Sequence, residues 1–215
     1  GSAATVNGGA GGGRIAVVYD TAAQSALGEQ PAAMLDVNRS VGYYNKVYYY
    51  GERGTLHLPP DGLLLQPVVT NLIGRLYGPA AWAPDSLLVK NAWLRFCEDG
   101  FALAVAEDLT VTGADAALGV GGGECRMDGS AWRYHGTNAN PVVTCRNLWV
   151  TNGGCLAVFS GVTSDPPELE AKVAVAEQAM IAGANSSFAP HAHPVTGASV
   201  LFSVRDLVIT PGGAI

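Results

Sequence analysis

A short strand-like pattern recurs along the chain and constrains the fold more than any other feature. Its clearest copy is DLTVTG at 108–113. Related copies stand at 86–91, 147–152 and 206–211. Alternation of apolar and polar residues is typical of a strand with one buried face. We therefore expect Leu109 and Val111 to point inward, and Thr110 and Thr112 to point outward.

The spacing of the copies predicts how these strands stack. The first inward residues of the four copies are Leu87, Leu109, Leu148 and Leu207. The successive intervals between them are close to one, two and three multiples of roughly 20 residues, a period in the range of solenoids. Further short strands are expected at 94–96, 118–120 and 156–158.

The repeat predicts an all-β fold, a single-stranded right-handed parallel β-helix in which each rung is stabilised by its neighbours. A β-sandwich is the alternative, because its strands also recur between turns. Residues 1–215 should form one domain, with irregular insertions at 21–85 and 164–200. The second insertion should contain a short helix at 168–182, capped by Asp165. Gly1-Ser2 and an end inside a rung suggest a fragment of a longer chain.

Composition narrows the class of protein. Only 14% of the 215 residues are charged, against about 25% in average proteins. The 28 glycines are about twice the usual share of about 7%. Both features favour an all-β extracellular type of protein. A net charge of −6 argues against a nucleic-acid partner, since no basic stripe is present to neutralise phosphates. Anionic polymers should be weakly repelled unless arginines cluster locally. No apolar run is long enough to insert into a membrane.

Four cysteines leave two alternatives open. Cys97, Cys125, Cys145 and Cys155 have no CxxC spacing, so a zinc site is not expected. The interval from Cys125 to Cys145 is close to one repeat, so these two could form a disulfide between adjacent rungs. Two unlinked, buried thiols are the other possibility.

A glycine-rich run at 7–13 leads directly into the apolar segment 14–18. Its glycines have the spacing of a dinucleotide-binding fingerprint, but a true fingerprint follows a strand and opens a helix. The run here precedes the strand. We interpret it as a tight bend where a side chain would not fit.

Three short motifs resemble a known family. GGGRIA at 11–16, DLTVTG at 108–113 and NLWVTNGG at 147–154 are similar to segments of large secreted bacterial proteins with pectin-lyase-like parallel β-helix repeats. The resemblance covers about half of the chain. It implies a secreted or cell-surface scaffold, often associated with carbohydrate, and no particular activity.

Aromatic residues supply the candidate ligand contacts. Tyr43, Tyr44, Tyr48, Tyr49 and Tyr50 lie within eight positions, and neighbours on a strand point to opposite sides, so some rings should be exposed. Exposed rings can stack on the apolar faces of sugars. Trp82 and Trp132 are possible partners of these tyrosines. Packing under a loop is the alternative explanation.

Catalytic and metal-binding patterns are weak. Asp108, Asn147 and Asp206 share one position of the repeat, where a bond to local backbone is the expected role. No pair of carboxylates suggests glycoside hydrolysis, and no acidic cluster suggests calcium. His191 and His193 could share one side of an extended segment and bind a metal if a third ligand, such as His57 or His135, came close.

The sequence therefore favours a non-catalytic extracellular or cell-surface module with a structural or adhesive role. Its expected partner is a polysaccharide or surface glycan, with contacts to neighbouring rungs of the parent chain or self-association. No cofactor is expected. One alternative is a polysaccharide lyase or glycoside hydrolase on the same scaffold, which the resemblance associates with a basic residue beside acidic calcium ligands. Another is a structural spacer in a fibre or passenger domain.

Overall fold

The computed structural model describes residues 11–27, 34–44, 47–59, 65–70, 72–122, 124–128, 131–135, 139–161, 169–193 and 196–215. Two large parallel sheets dominate these residues, with nine strands assigned to each. The chain visits the sheets in turn, so most strands pair with a strand from the next rung rather than with a neighbour in sequence.

The first sheet forms one flat side of the solenoid, which we name face 2. Its strands are β1 Arg14–Ala16, β2 Leu35–Asp36, β5 Thr55–His57, β7 Leu72–Tyr77, β10 Trp93–Phe96, β13 Ala117–Val120, β18 Cys155–Phe159, β20 Ser186–His191 and β22 Gly213–Ala214. They follow one another in the order β1-β5-β7-β10-β13-β18-β20-β22, and β2 also pairs with β7.

The second sheet bends into two sides. Face 1 contains β6 Val68–Val69, β9 Leu87–Lys90, β12 Asp108–Thr112 and β17 Asn147–Thr151, and face 3 contains β8 Ala81–Trp82, β11 Ala102–Ala104 and β16 Val142–Cys145. Two long strands, β19 Leu169–Ala182 and β21 Ser199–Ile209, cross the corner. The first part of β19 pairs with β16 and its last part with β17, so the two faces are continuous there.

Each rung therefore runs from face 1 through face 2 to face 3. This order repeats as β9-β10-β11, β12-β13-β16 and β17-β18-β19. The fold is a parallel β-helix, which confirms the all-β solenoid predicted from the repeat. None of the described helices is long and apolar enough to cross a membrane.

Rows of identical or similar side chains fill the interior. Leu87, Leu109 and Leu148 stack in register on face 1 and are fully buried. Val111 is also fully buried, while Thr110 and Thr112 lie outward, as predicted. Inward side chains touch across a spacing of about 4.8 Å between strands, so the inner rungs are each covered by the next one.

Two antiparallel hairpins and one short helix depart from the stack. The hairpins are β3 Val41–Tyr44 with β4 Val47–Tyr50, and β14 Glu124–Asp128 with β15 Ala131–His135. The helix is α1 Thr21–Ala26, whose first turn is capped by the carboxylate of Asp20. It buries none of its residues.

The predicted period is wrong for its second interval, for which the spacing predicts two rungs, and for its third, for which it predicts three. Asp108 pairs directly with Asn147, so the chain between them makes one rung and not two. The additional length contains the β14–β15 hairpin between β13 and β16. The next interval, from Leu148 to Leu207, makes two rungs, because β17 pairs with β19 and β19 pairs with β21.

The helix predicted at 168–182 is also wrong, because β19 occupies 169–182. Val173, Val175, Ala179 and Ile181 are buried, with exposed or half-buried residues between them. A helix would instead place Val173, Ala176 and Met180 on one face. Within the interval predicted as an insertion, 164–200, β19 and β20 are parts of rungs; residues 162–168, with the predicted cap, lie outside the described residues.

Of the two alternatives for Cys125 and Cys145, a disulfide between adjacent rungs or unlinked thiols, the structure agrees with the second for Cys145. Cys125 belongs to the β14 hairpin and not to a rung. Cys145 is a buried free thiol, as is Cys97, and Cys155 is a free thiol that is partly exposed. Burial raises the pKa of Cys145 to about 12, with a smaller contribution from Asp108.

In the described part of the glycine-rich run, 11–13, Gly12 is in close backbone contact, as predicted for this segment. A Cβ atom on Gly12 would lie 2.1 Å from the carbonyl oxygen of Val37. A Cβ atom on Gly54 would lie 1.9 Å from the carbonyl oxygen of Gly13. These distances are far below van der Waals contact, so glycine is required where the two segments cross.

Candidate functional site

Arginine and aromatic side chains gather on the outer side of face 2, near its N-terminal end. We name this set the arginine–aromatic surface; it consists of Arg14, Arg53, His57, Arg75, Tyr77 and Trp93. The strands β1, β5, β7 and β10 carry these residues in adjacent positions of one sheet, except Arg53, which lies two residues before β5. Because alternate residues of a strand point outward, the inward residues between them belong to the core.

Arg53 is held against Trp93. Its guanidinium carbon lies 4.2 Å from the ring centroid, which is within cation–π distance. The Nε atom of Arg53 is buried and has no hydrogen-bond acceptor among the described residues. Burial lowers the pKa of Arg53, the charge of Arg39 lowers it further, and Asp36 opposes them. A bound anion would supply the missing acceptor and reduce both unfavourable effects.

Two further arginines flank this position. Arg75 forms an ion pair with Glu52 at 3.2 Å (Nη1 to Oε2), and the side chain of Arg75 is largely covered while that of Glu52 is exposed. Arg14 donates from Nε to the hydroxyl of Thr55 at 3.2 Å. With Arg39 and Asp36, whose charges act on Arg53, four arginines and two acidic side chains meet here. The surface is therefore locally positive on a chain whose net charge is −6.

His57 and Tyr77 stack face to face beside the arginines and form a small aromatic platform. Their ring centroids are 5.1 Å apart and the ring planes differ by 16°. His57 is exposed and Tyr77 is half-buried. A groove of about 640 Å³ runs over the arginines, this platform and the backbone of Gly11–Gly13. Glycine leaves this floor free of side chains, so a ligand could approach the backbone closely.

A second aromatic stack lies on the same outward row, several rungs away. Phe159 and His191 are stacked with centroids 4.3 Å apart. The buried guanidinium of Arg95 lies 3.6 Å from the Phe159 ring centroid and donates to the carbonyl of Gly121 at 2.8 Å. Gly119 leaves the space that the Arg95 side chain crosses, since a Cβ there would lie 2.8 Å from its Cγ.

Charged side chains also form a ladder at the corner between faces 3 and 1. Arg146 bonds Glu107 at 2.9 Å and Glu177 at 3.2 Å, on the rungs before and after it. A groove of about 800 Å³ runs beside this ladder and continues to Arg205. The two glutamates raise the pKa of Arg146, which keeps it protonated and makes it a poor general base.

The residues predicted as ligand contacts are not brought together in one described site. Tyr43, Tyr44, Tyr48, Tyr49 and Tyr50 lie on the β3–β4 hairpin, and Trp132 lies on the β14–β15 hairpin, where side chains are outside the described residues. Trp82 is half-buried and tilts against Phe96 of the core at 6.0 Å. The β3–β4 hairpin ends just before Glu52 and Arg53, next to the arginine–aromatic surface.

The two histidines of the predicted metal pair have different environments. His191 is exposed in its stack with Phe159. His193 is buried and accepts a hydrogen bond at Nδ1 from the backbone of Thr196. His57 lies on the arginine–aromatic surface, and the side chain of His135 is outside the described residues. The described residues hold no group of three metal-ligating side chains.

Sequence reasoning missed the arginine–aromatic surface, although the chain carries a signal for it. Arg53, Arg75 and Arg95 recur at intervals close to the length of one rung. Arg75 and Arg95 indeed pair in register.

Compared with family models, curated proteins and solved structures, the chain has no match. The description of this protein therefore rests on its own structure, a parallel β-helix with an outward arginine–aromatic surface.

Proposed function

We propose that this chain is a non-catalytic, extracellular or cell-surface β-helix module that binds carbohydrate. The observation that carries the proposal is the arginine–aromatic surface with its groove over face 2. Flat rings can stack on the apolar faces of sugars, while arginine pairs with carboxylate or sulfate groups in a two-pronged geometry. The ligand that fits is an acidic glycan.

The contacts support a specific division of roles. Arg53 has a buried donor directed to no protein acceptor among the described residues, so it offers a place for an anionic substituent. Arg75 is positioned by Glu52. His57 and Tyr77 provide a platform of two stacked rings for a sugar. The tyrosine hairpin β3–β4 would extend this surface if its rings face the same way, as the sequence-based hypothesis requires.

A direct test compares polygalacturonate with its methyl-esterified form, which has the same sugar without the charge. We expect the chain to retain the acidic polymer in affinity electrophoresis and to bind the ester weakly. The double substitution Arg53→Gln and Arg75→Gln should weaken retention about tenfold or more, since a charged hydrogen bond contributes about 1.5–3 kcal/mol. Lys90→Gln with Lys172→Gln, which removes two exposed positive charges elsewhere, is the matched control.

Further variants separate the two candidate surfaces. Loss of binding in Tyr44→Ala with Tyr49→Ala, but not in the arginine variant, would assign the glycan to the hairpin alone. Equal retention of the charged and esterified polymers would remove the acidic-glycan proposal. Calorimetry on the same variants would show whether retention reflects binding at one site.

An enzyme on the same scaffold is the second candidate, and the corner ladder is the observation in its favour. Arg146 lies between Glu107 and Glu177 on adjacent rungs, beside a groove. Its raised pKa argues against a role as base. Incubation with polysaccharides, with and without calcium, decides the question: new reducing ends or unsaturated sugars that Glu177→Gln abolishes would favour the enzyme.

A further inference from the structure

Among the described residues, the strand β21 leaves part of the interior row uncovered. Leu207 and Ile209 of β21 are 45% and 46% exposed, although they pair in register with Ala179 and Ile181, which are fully buried. One edge of β21 pairs with β19, and the described residues place no strand on its other edge. An apolar row beside a free strand edge is a surface that another strand can cover.

We propose that a second copy of this chain covers this end, with the two β21 strands antiparallel about a two-fold axis between Arg205 and Asp206. In this register Val204 of one copy lies opposite Leu207 of the other, and Phe202 lies opposite Ile209. All four of these side chains point to the interior, because their partners on β19 do so. The pairing therefore keeps a continuous apolar interior across the junction.

The charges at the axis agree with the same register. Arg205 lies opposite Asp206 of the other copy, and Asp206 lies opposite its Arg205. Both side chains are more than half exposed and bond each other within one chain, Nε to Oδ2 at 2.9 Å. Opposite charges directly across an antiparallel pair are favourable. Because of the two-fold axis, the contact between Arg205 of one copy and Asp206 of the other occurs twice, so the two β21 strands are complementary in charge.

The shape of the rung also suits a two-fold axis at this corner. Arg205 and Asp206 stand where β21 passes from face 3 to face 1. The two-fold axis passes through this corner, perpendicular to the long axis of the solenoid. Rotation about it places face 3 of one copy against face 1 of the other, and β22 of one copy against β22 of the other. Each strand edge in the last rung meets an edge of the partner. The assembly closes as a dimer and cannot extend into a filament through this contact.

The mass of the protein in solution tests the proposal. We expect sedimentation velocity at about 50 µM, a concentration that populates weak and strong interfaces alike, to show a species of twice 22.1 kDa. Arg205→Asp puts like charges opposite each other at two places and should raise the dissociation constant about tenfold or more. The double variant Arg205→Asp with Asp206→Arg exchanges the charges and should restore the dimer.

Controls separate this contact from a folding defect. Far-ultraviolet circular dichroism of each variant should match that of the unchanged chain, because both side chains are at the exposed end. Ile209→Lys should also give a folded monomer. A monomer of 22.1 kDa for the unchanged chain, filaments, or a dimer that tolerates Arg205→Asp would each overturn the proposal, and a monomer would mean that something other than a second copy covers the row.

Discussion

His193 shows how one buried side chain makes the fold sensitive to pH. It is 3% exposed, and its Nδ1 atom accepts a hydrogen bond from the backbone nitrogen of Thr196 at 3.0 Å. Its own backbone nitrogen donates to Ala198 at 2.7 Å. An accepting Nδ1 requires the neutral ring. Burial also lowers the pKa of His193, because the charged ring would lose its hydration there.

This lowered pKa predicts that acid weakens the fold. The unfolded chain takes up the proton first, near the ordinary histidine pKa of about 6.5, so the free energy of unfolding should decrease as the pH falls from about 7.5 to 5.5. Asparagine can accept the Thr196 bond without titrating, so His193→Asn should reduce the slope in urea titrations across this range. His191→Asn should reduce the slope as well, since the pKa of His191 is also lowered by burial and by Arg95. His57→Asn, at an exposed histidine, is the control. An identical slope in His193→Asn would contradict the explanation.

The strand β19 shows how an element is decided by its neighbours. Its residues Glu170, Ala171, Lys172, Ala174 and Ala176 favour helices, yet the segment is extended through a 14-residue strand. It pairs with β16, β17 and β21, and a register shift between Val175 and Gln178 turns it around the corner. Hydrogen bonds and burial on two sides outweigh an intrinsic helix preference of a few tenths of a kcal/mol per residue.

Two substitutions with the same chemistry distinguish a strand from a helix here. Val173 is fully buried and Ala176 is exposed. Val173→Asp should lower the free energy of unfolding by about 3 kcal/mol or more, because it buries an unpaired charge. Ala176→Asp should change it by less than about 0.5 kcal/mol. Chemical denaturation measures both values, and similar losses from the two variants would contradict the strand.

Across the whole molecule, the rungs differ in how they are connected. Residues 97–101 join β10 to β11, whereas residues 121–141 join β13 to β16. Both connections lead from face 2 to face 3, and their ends are in register. The longer one contains the β14–β15 hairpin. The solenoid therefore needs only a short corner, and the hairpin is an addition to it.

Removal of this hairpin should leave the fold intact. Deletion of 123–138 leaves a corner of the same length as 97–101, with the new junction between Gly122 and Ala139 beside Glu98 and Asp99 of the previous rung. We expect an unchanged far-ultraviolet spectrum and a Tm within about 5 °C, since about 1 kcal/mol corresponds to a few degrees at this size. Deletion of 102–104, which removes β11, should abolish cooperative unfolding. A hairpin deletion that also unfolds the chain would show that the rungs depend on it.

Residue patterns by themselves determined the local architecture. The alternation at 108–112 predicted which side chains of β12 are buried, and the glycine-rich run predicted the close backbone contact found at Gly12. Such features are predictable because they depend on the direction of adjacent side chains and on contacts at van der Waals distance. The right-handed crossover and the resemblance to pectin-lyase-like repeats stay predictions, as does the carbohydrate ligand.

Only the tertiary structure decided the spacing of rungs, the state of residues 169–182 and the place of the arginines. An insertion that is about as long as a rung cannot be told from a rung by counting, since the two have similar composition. A helix-favouring segment becomes a strand only when other strands pair with it on both sides. Arg53 and Arg75 are far apart in sequence, and they meet Trp93 and Glu52 on one surface because the solenoid brings residues one rung apart to within a strand's width.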